Sequence, residues 1–233
     1  MECKNCGQQS DGKFCPNCGQ QMTIYRITLP HLLHEIIQTF THLEKGFLFT
    51  LKKLATDPGH MQRLYLEGNR VHYQKPFSMF FICATISALS LYWINRFAGN
   101  SLMPGQEAFN YFLQHYYVLL HVALFPFYTL VTWLLFIRSK YNYAEILVLG
   151  MYMVAFMLLL LIFIHAISLW LPFIETRMSE AILFSVYNIW TFIRFFNRTS
   201  WWIVIILSIV NLIINFFVYV YIMEWIVTGL MTK

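Results

Sequence analysis

Apolar residues are distributed unevenly along the chain. Residues 1–22 are polar and cysteine-rich, residues 23–76 interleave apolar and basic positions, and the remainder is dominated by five apolar runs. These runs cover about 77–95, 117–137, 143–171, 181–196 and 201–223. A helix needs about 20 apolar residues to cross a ~30 Å hydrocarbon core. The first run just meets that length, and the third and fifth exceed it. The second carries Pro126 inside it, which a membrane helix tolerates as a kink. The fourth is short and carries Arg194 near its end. The pattern predicts an all-α membrane protein of about five transmembrane helices, preceded by an amphipathic helical region and a small cysteine module. The expected organisation is a module at 1–22, a basic amphipathic and juxtamembrane region at 23–76, and a bundle at 77–233.

From Leu29 to Leu54 the apolar residues recur every three or four positions, with His31, His34, Lys45, Lys52 and Lys53 among the intervening ones. That spacing is helical. The charges are too frequent for a span, so the helix is expected to lie on a membrane surface or to pack on the bundle. Asp57-Pro58-Gly59 ends it by turn chemistry. The polar, aromatic segment that follows leads directly into the first run. Its Arg63, Tyr65, Arg70, Tyr73 and Lys75 are candidate contacts for a lipid headgroup or a partner, because arginine can clamp phosphate and tyrosine suits an interface. A plain juxtamembrane anchor accounts for the same residues.

Charge sharpens this picture. Hydrophobic residues make up 58% of the chain and charged residues only 12%, against about 25% charged in a soluble domain. Nine of the sixteen Lys and Arg precede residue 76. Beside a membrane span, such a bias points to the cytoplasmic face and anionic lipid rather than to nucleic acid. With five spans and a cytoplasmic N-terminus, thirteen Lys/Arg fall inside and three outside, as the positive-inside rule requires. This places the N-terminus on the cytoplasmic side of the membrane and the C-terminus outside. Trp93, Trp170 and Trp225 then fall at outer ends, and Trp201 and Trp202 at an inner end. No cleavable signal precedes the first run, so the N-terminus is expected to be retained.

The most specific motif is Cys3-Lys4-Asn5-Cys6-Gly7 with Cys15-Pro16-Asn17-Cys18-Gly19. Two Cys-x-x-Cys turns bring four thiolates around one point, which is a structural zinc arrangement. A glycine after each turn permits positive φ. A cytoplasmic position disfavours disulfides, and a redox pair has no use for a second copy. A closed four-thiolate site has no open position for substrate. Cys83, inside the first run, reads as a small core residue.

Residues 3–19 resemble the short zinc-ribbon module at the N-terminus of many bacterial membrane proteins. The pattern Asp57-Pro58-Gly59…Arg63-x-Tyr65-Leu66-x-Gly68-x-Arg70…Tyr73…Pro76…Phe80 resembles the signature segment of an uncharacterised bacterial multi-pass membrane family. The resemblance implies a zinc ribbon, an amphipathic region ending in Pro-Gly, and several spans. It also implies histidines after the position of Glu145, where this chain has Ile146 and Val154. It implies architecture and no activity.

Ionisable and polar groups inside spans are costly, so they are site candidates. His121 and His165 lie at depths of roughly 6 and 9 Å from the outer ends of the second and third runs, close enough to meet. Asn211 and Asn215 share one face of the fifth run. There is no nucleophile with a neighbouring base, no phosphate loop and no His-Glu-x-x-His in the sequence. Three readings follow, in order of support: a non-enzymatic anchor, assembly or regulatory protein whose zinc ribbon docks a protein partner; a small-solute channel or transporter; and a lipid-acting membrane enzyme.

Overall fold

A computed structural model of the chain describes residues 1–23, 26–29, 46–97, 123–171 and 176–231. Beyond the N-terminal module, the described residues form helices joined by short connections. They are α1 (Phe47–Thr56), α2 (Pro58–Leu66), α3 (Pro76–Phe97), α4 (Ala123–Leu135), α5 (Tyr143–Trp170), α6 (Thr176–Phe195) and α7 (Trp201–Met231). Their starts follow local chemistry. Pro58 and Pro76 open α2 and α3 at the position where a missing N–H is harmless. Asn142 caps α5, accepting from the Glu145 amide at 2.9 Å while the Glu145 carboxylate accepts from the Asn142 amide at 2.8 Å. This reciprocal box satisfies two otherwise unpaired donors.

Among the described residues, three helices are long and apolar enough to cross a membrane: α3 over Pro76–Ile94, α5 over its whole length, and α7 over Trp201–Ile222. They match the first, third and fifth expected spans. The second run is described only from Ala123, as a shorter apolar helix. The fourth differs from expectation. Its helix begins at Thr176 rather than Ala181, and so takes in a polar first turn and Glu180. α6 is amphipathic in consequence, and it buries Tyr187, Asn188, Thr191, Phe192 and Phe195 among its neighbours.

The core is organised around α5, which packs against α3 and α6 and also meets α1 and α2. Tyr152 is wholly buried there, edge-on to Tyr65 of α2 at 5.5 Å. Phe156 stacks on Tyr187 of α6 at 5.0 Å, and Phe80 of α3 on Phe125 of α4 at 5.4 Å. α7 is peripheral. It turns Val204, Ser208 and Asn211 inward, and most of its other large side chains, including Ile203, Ile206, Ile213 and Phe217, outward. Such a composition suits lipid.

The starts of α3, α5 and α7 and the ends of α4 and α6 lie at one end of the bundle. Phe136 stacks on Phe196 at 4.0 Å, and Tyr141 lies 4.5 Å from Phe195. The connection 67–75 is fastened at the same end. Tyr152 Oη donates to the Gln74 carbonyl at 2.6 Å, the Gln74 amide donates to Thr50 Oγ1 at 2.8 Å, and Thr50 donates to the Gly46 carbonyl at 2.8 Å. Replacing Tyr152 by Phe removes the only side-chain donor in that chain that comes from α5. The expected cost is about 1–2 kcal/mol, read as a fall in the thermal midpoint of the detergent-solubilised protein.

Candidate metal centre

The module at residues 1–22 consists of two copies of one turn, Cys-x-Asn-Cys-Gly-Gln, at residues 3–8 and 15–20. In each copy the glycine amide closes back on the first cysteine: Gly7 on the Cys3 carbonyl at 2.8 Å, Gly19 on the Cys15 carbonyl at 2.9 Å. Both glycines have positive φ, 75° and 73°, a conformation that side chains disfavour. The two turns close with matching bridges, Glu2 to Gln9 and Phe14 to Gln21. A pseudo-twofold pair of knuckles results.

Between the knuckles the four thiols converge. Cys3 Sγ lies 3.6 Å from Cys18 Sγ, Cys6 Sγ lies 3.5 Å from Cys15 Sγ, and all four sulfurs fall within 4.8 Å of one another. None is in a disulfide. This cluster could hold a metal ion. Cys3 and Cys15 are buried, and with Met22 they form the module's small core. The surroundings donate to sulfur. The Gln20 amide and the Asn5 side chain act on Cys18, bringing it down to about 6. Cys6 receives the equivalent Gln8 amide and Asn17 side chain, but desolvation and the Cys15 and Cys18 thiols outweigh them and push it up to about 11. Four thiols this close resist joint ionisation without a cation. The donors aimed at sulfur are what a metal-thiolate centre uses in its outer shell. The repeated Asn side chains, with the backbone amides two residues past each second cysteine, carry this role, and the Asn repeat stands in the sequence itself.

Residues 26 and 27, which follow the module, are fixed to the bundle. Arg26 Nε and one terminal nitrogen donate to the two Glu145 oxygens at 2.8 and 2.9 Å, and the guanidinium also reaches the Lys140 carbonyl. Asn142 Nδ2 donates to the Ile27 carbonyl at 3.0 Å, and Ile27 is buried in the main core. The two residues that cap α5 therefore also hold the segment that follows the knuckles. Glu145→Ala removes the carboxylate half of the capping box and the bidentate pair together, with an expected loss of about 2 kcal/mol in unfolding free energy. Glu145→Gln keeps part of the cap and loses less. Denaturant unfolding of both variants checks the order.

The other candidate residues are distributed as follows. Tyr65 and Tyr73 are buried, so they act as packing groups rather than surface contacts. Arg63 donates to the Arg194 carbonyl at 3.1 Å and lies 2.8 Å from His60 Nδ1, and Arg70 donates to the Tyr65 carbonyl at 3.1 Å. Both guanidiniums are thus engaged on the fold, and Lys75 is half-buried at the start of α3. His121 lies outside the described residues. His165 pairs instead with Glu180 of α6, Nε2 to Oε1 at 2.7 Å, both side chains mostly buried. Glu180 was not among the residues singled out from the sequence, because it stands before the fourth apolar run. Asn211 Oδ1 accepts from Thr132 Oγ1 of α4 and from Asn215 Nδ2, both at 3.2 Å, so Asn211 joins α7 to α4 and Asn215 supports it from within α7.

Removing one member of a largely buried pair strands the other. His165→Ala is therefore expected to cost about 2 kcal/mol, and the double substitution with Glu180→Ala less than the sum of the two single ones. A double-mutant cycle on thermal unfolding measures the difference.

A family model described as a protein of unknown function (DUF3667) matches residues 44–88. That segment spans α1, α2, the fastened connection and the first part of α3, and it contains the Asp57-to-Phe80 pattern. No curated protein matches the chain, and no solved structure does.

Proposed function

We propose that this chain is a non-enzymatic multi-pass protein of a bacterial cytoplasmic membrane. In this reading its N-terminal module holds one structural zinc ion through Cys3, Cys6, Cys15 and Cys18 and docks a cytoplasmic protein partner. The convergence of four thiols, without a disulfide, on one closed point is the observation that carries it. A zinc–thiolate bond of about 2.3 Å gives a tetrahedron with edges of about 3.8 Å, and the sulfur pairs at 3.5 and 3.6 Å are near that size. Thiolates select zinc or iron over hard cations, and a closed cytoplasmic set of this spacing favours zinc.

The N-terminus and the module are cytoplasmic, and the C-terminus is outside. The clustering of Arg26, Arg63, Arg138, Lys140, Arg194 and Arg198 at the module's end of the bundle supports that orientation. Phe14 supports docking: it stands 63% exposed on the second knuckle, outside the module's core. Large apolar side chains in such positions are typical anchors of protein interfaces. The polar groups that suggest a channel, His165, Asn211 and Asn215, are bonded to other side chains of the bundle, which favours packing over conduction.

A photo-crosslinking residue at position 14 tests the docking. A discrete adduct in cells, lost with Cys15→Ser/Cys18→Ser while the protein stays in the membrane, is expected. The same adduct in that variant, or none in the wild type, overturns docking through the ribbon.

A further inference from the structure

α1 divides its surface in an ordered way. Thr50 and Leu54 are wholly buried against the rest of the protein. The outward side begins with Leu48, 76% exposed, and Phe49, 43% exposed. One turn later, at i+4 from each, stand Lys52 and Lys53, both exposed. The Lys53 ammonium lies 5.9 Å from the centroid of the Phe49 ring. An apolar pair in the first turn is thus followed by a cationic pair in the second.

The position of α1 gives this order a meaning. The Gly46 backbone is pressed against residues 72–74, where an added Cβ would meet the His72 carbonyl oxygen at 2.7 Å. The Phe49 ring lies 5.4 Å from that of Tyr73. Two residues after Gln74, Pro76 opens α3, the first of the helices apolar enough to cross a membrane. α1 therefore lies beside the start of that helix, where apolar surface gives way to polar surface. Among the described residues, the carboxylates at this end are already engaged: Asp57 lies 3.7 Å from Arg194, Glu67 3.4 Å from Lys140, and Glu145 holds Arg26. Lys52, Lys53, Arg138 and Arg198 pair with no acid among the described residues.

We propose that α1 is a binding element for the anionic phospholipids of the leaflet around it. Leu48 and Phe49 enter the boundary between headgroups and acyl chains, and Lys52 and Lys53 take the phosphates. An amphipathic helix with basic residues flanking large apolar ones lies in that plane, and the stems of the lysines lie along apolar surface while their ammonium groups stay wet. The proposal rests on the membrane placement above and is independent of the metal.

Hydrogen exchange on the full-length protein in lipid nanodiscs tests it, reading the amides of residues 47–56. With phosphatidylglycerol added to phosphatidylcholine, exchange in α1 is expected to slow by a factor on the order of 10. Lys52→Gln/Lys53→Gln should abolish that slowing and Lys52→Arg/Lys53→Arg should keep it, with α5 amides unchanged in both as the check on folding. Inorganic phosphate added to phosphatidylcholine discs should not reproduce it. Equal exchange in the two lipids, full slowing in the Gln variant, or slowing by free phosphate overturns the proposal. A protein that stays in solution without detergent or lipid overturns the membrane placement instead.

Discussion

Replacing Cys15 and Cys18 together by serine is expected to leave residues 1–22 without a fold while the helices stay folded. The module has a core of only Cys3, Cys15 and Met22, with Cys18 packed against it. So few side chains cannot offset the ordering of some twenty residues, at about 1–2 kcal/mol each for the backbone alone. Metal binding to structural thiolate sites supplies roughly 10–16 kcal/mol, so folding of the module and binding of a metal are expected as one event. Limited proteolysis reads this directly. Wild-type protein should resist cleavage between Lys4 and Lys13, the variant should be cut there, and a strong chelator should turn the first pattern into the second. The junction should respond more weakly. The Arg26–Glu145 pair and the Asn142–Ile27 bond hold the following segment to α5 through the bundle's own residues. Cleavage after Arg26 should therefore remain slow in both proteins.

The second large effect is expected at Gly59. An added Cβ there would lie 2.3 Å from the Thr191 carbonyl oxygen, 2.6 Å from Arg194 Cβ and 2.6 Å from the Phe195 amide nitrogen. Two of these three atoms are backbone, so no rotamer change relieves the clash. α2 must move off α6, and with it the Arg63 bond to the Arg194 carbonyl and the Asp57–Arg194 pair. Gly59→Ala is expected to cost about 3 kcal/mol, the upper end of ordinary overpacking, and Gly59→Val more. Thermal unfolding in detergent measures it. A change below about 0.5 kcal/mol, the range of ordinary surface substitutions, would show that α2 does not rest on α6 at this point. The Pro-Gly step thus has two functions. The proline starts α2, and the glycine lets the backbones of two helices meet.

The Cys-x-x-Cys spacing and the following glycines could be read from the sequence because the chemistry is local: each knuckle is complete within six residues. The third apolar run was equally legible. α5 spans Tyr143–Trp170, within a residue of the expected 143–171, since an uninterrupted apolar run leaves little choice of boundary. α6 was not, because its polar first turn hid four of the helix's residues, along with Glu180, from a search for apolar runs. The partner of His165 was lost for the same reason. Matching histidines by depth compared positions along a membrane normal, and depth carries no information about which helices face each other. The Arg26–Glu145 pair joins residues 119 apart in the chain, a separation that no spacing rule reaches. Its acidic half was within reach, since Asn142-x-x-Glu145 before a long apolar run is a helix-start pattern. Tyr65 and Tyr73 show the opposite failure. Their aromatic-rich, charged surroundings suggest an interface, yet both rings turn inward to the core around Tyr152, while Arg63 and Arg70 bond backbone carbonyls beside them.

The central claim is that the four N-terminal cysteines bind one structural zinc ion. The most direct test is elemental analysis of the full-length protein purified in detergent without chelator, beside the Cys15→Ser/Cys18→Ser variant. The account predicts about one zinc per chain in the wild type and none in the variant. Wild-type protein that retains four free thiols and carries no metal would contradict it, as would zinc that stays bound when both cysteines are gone.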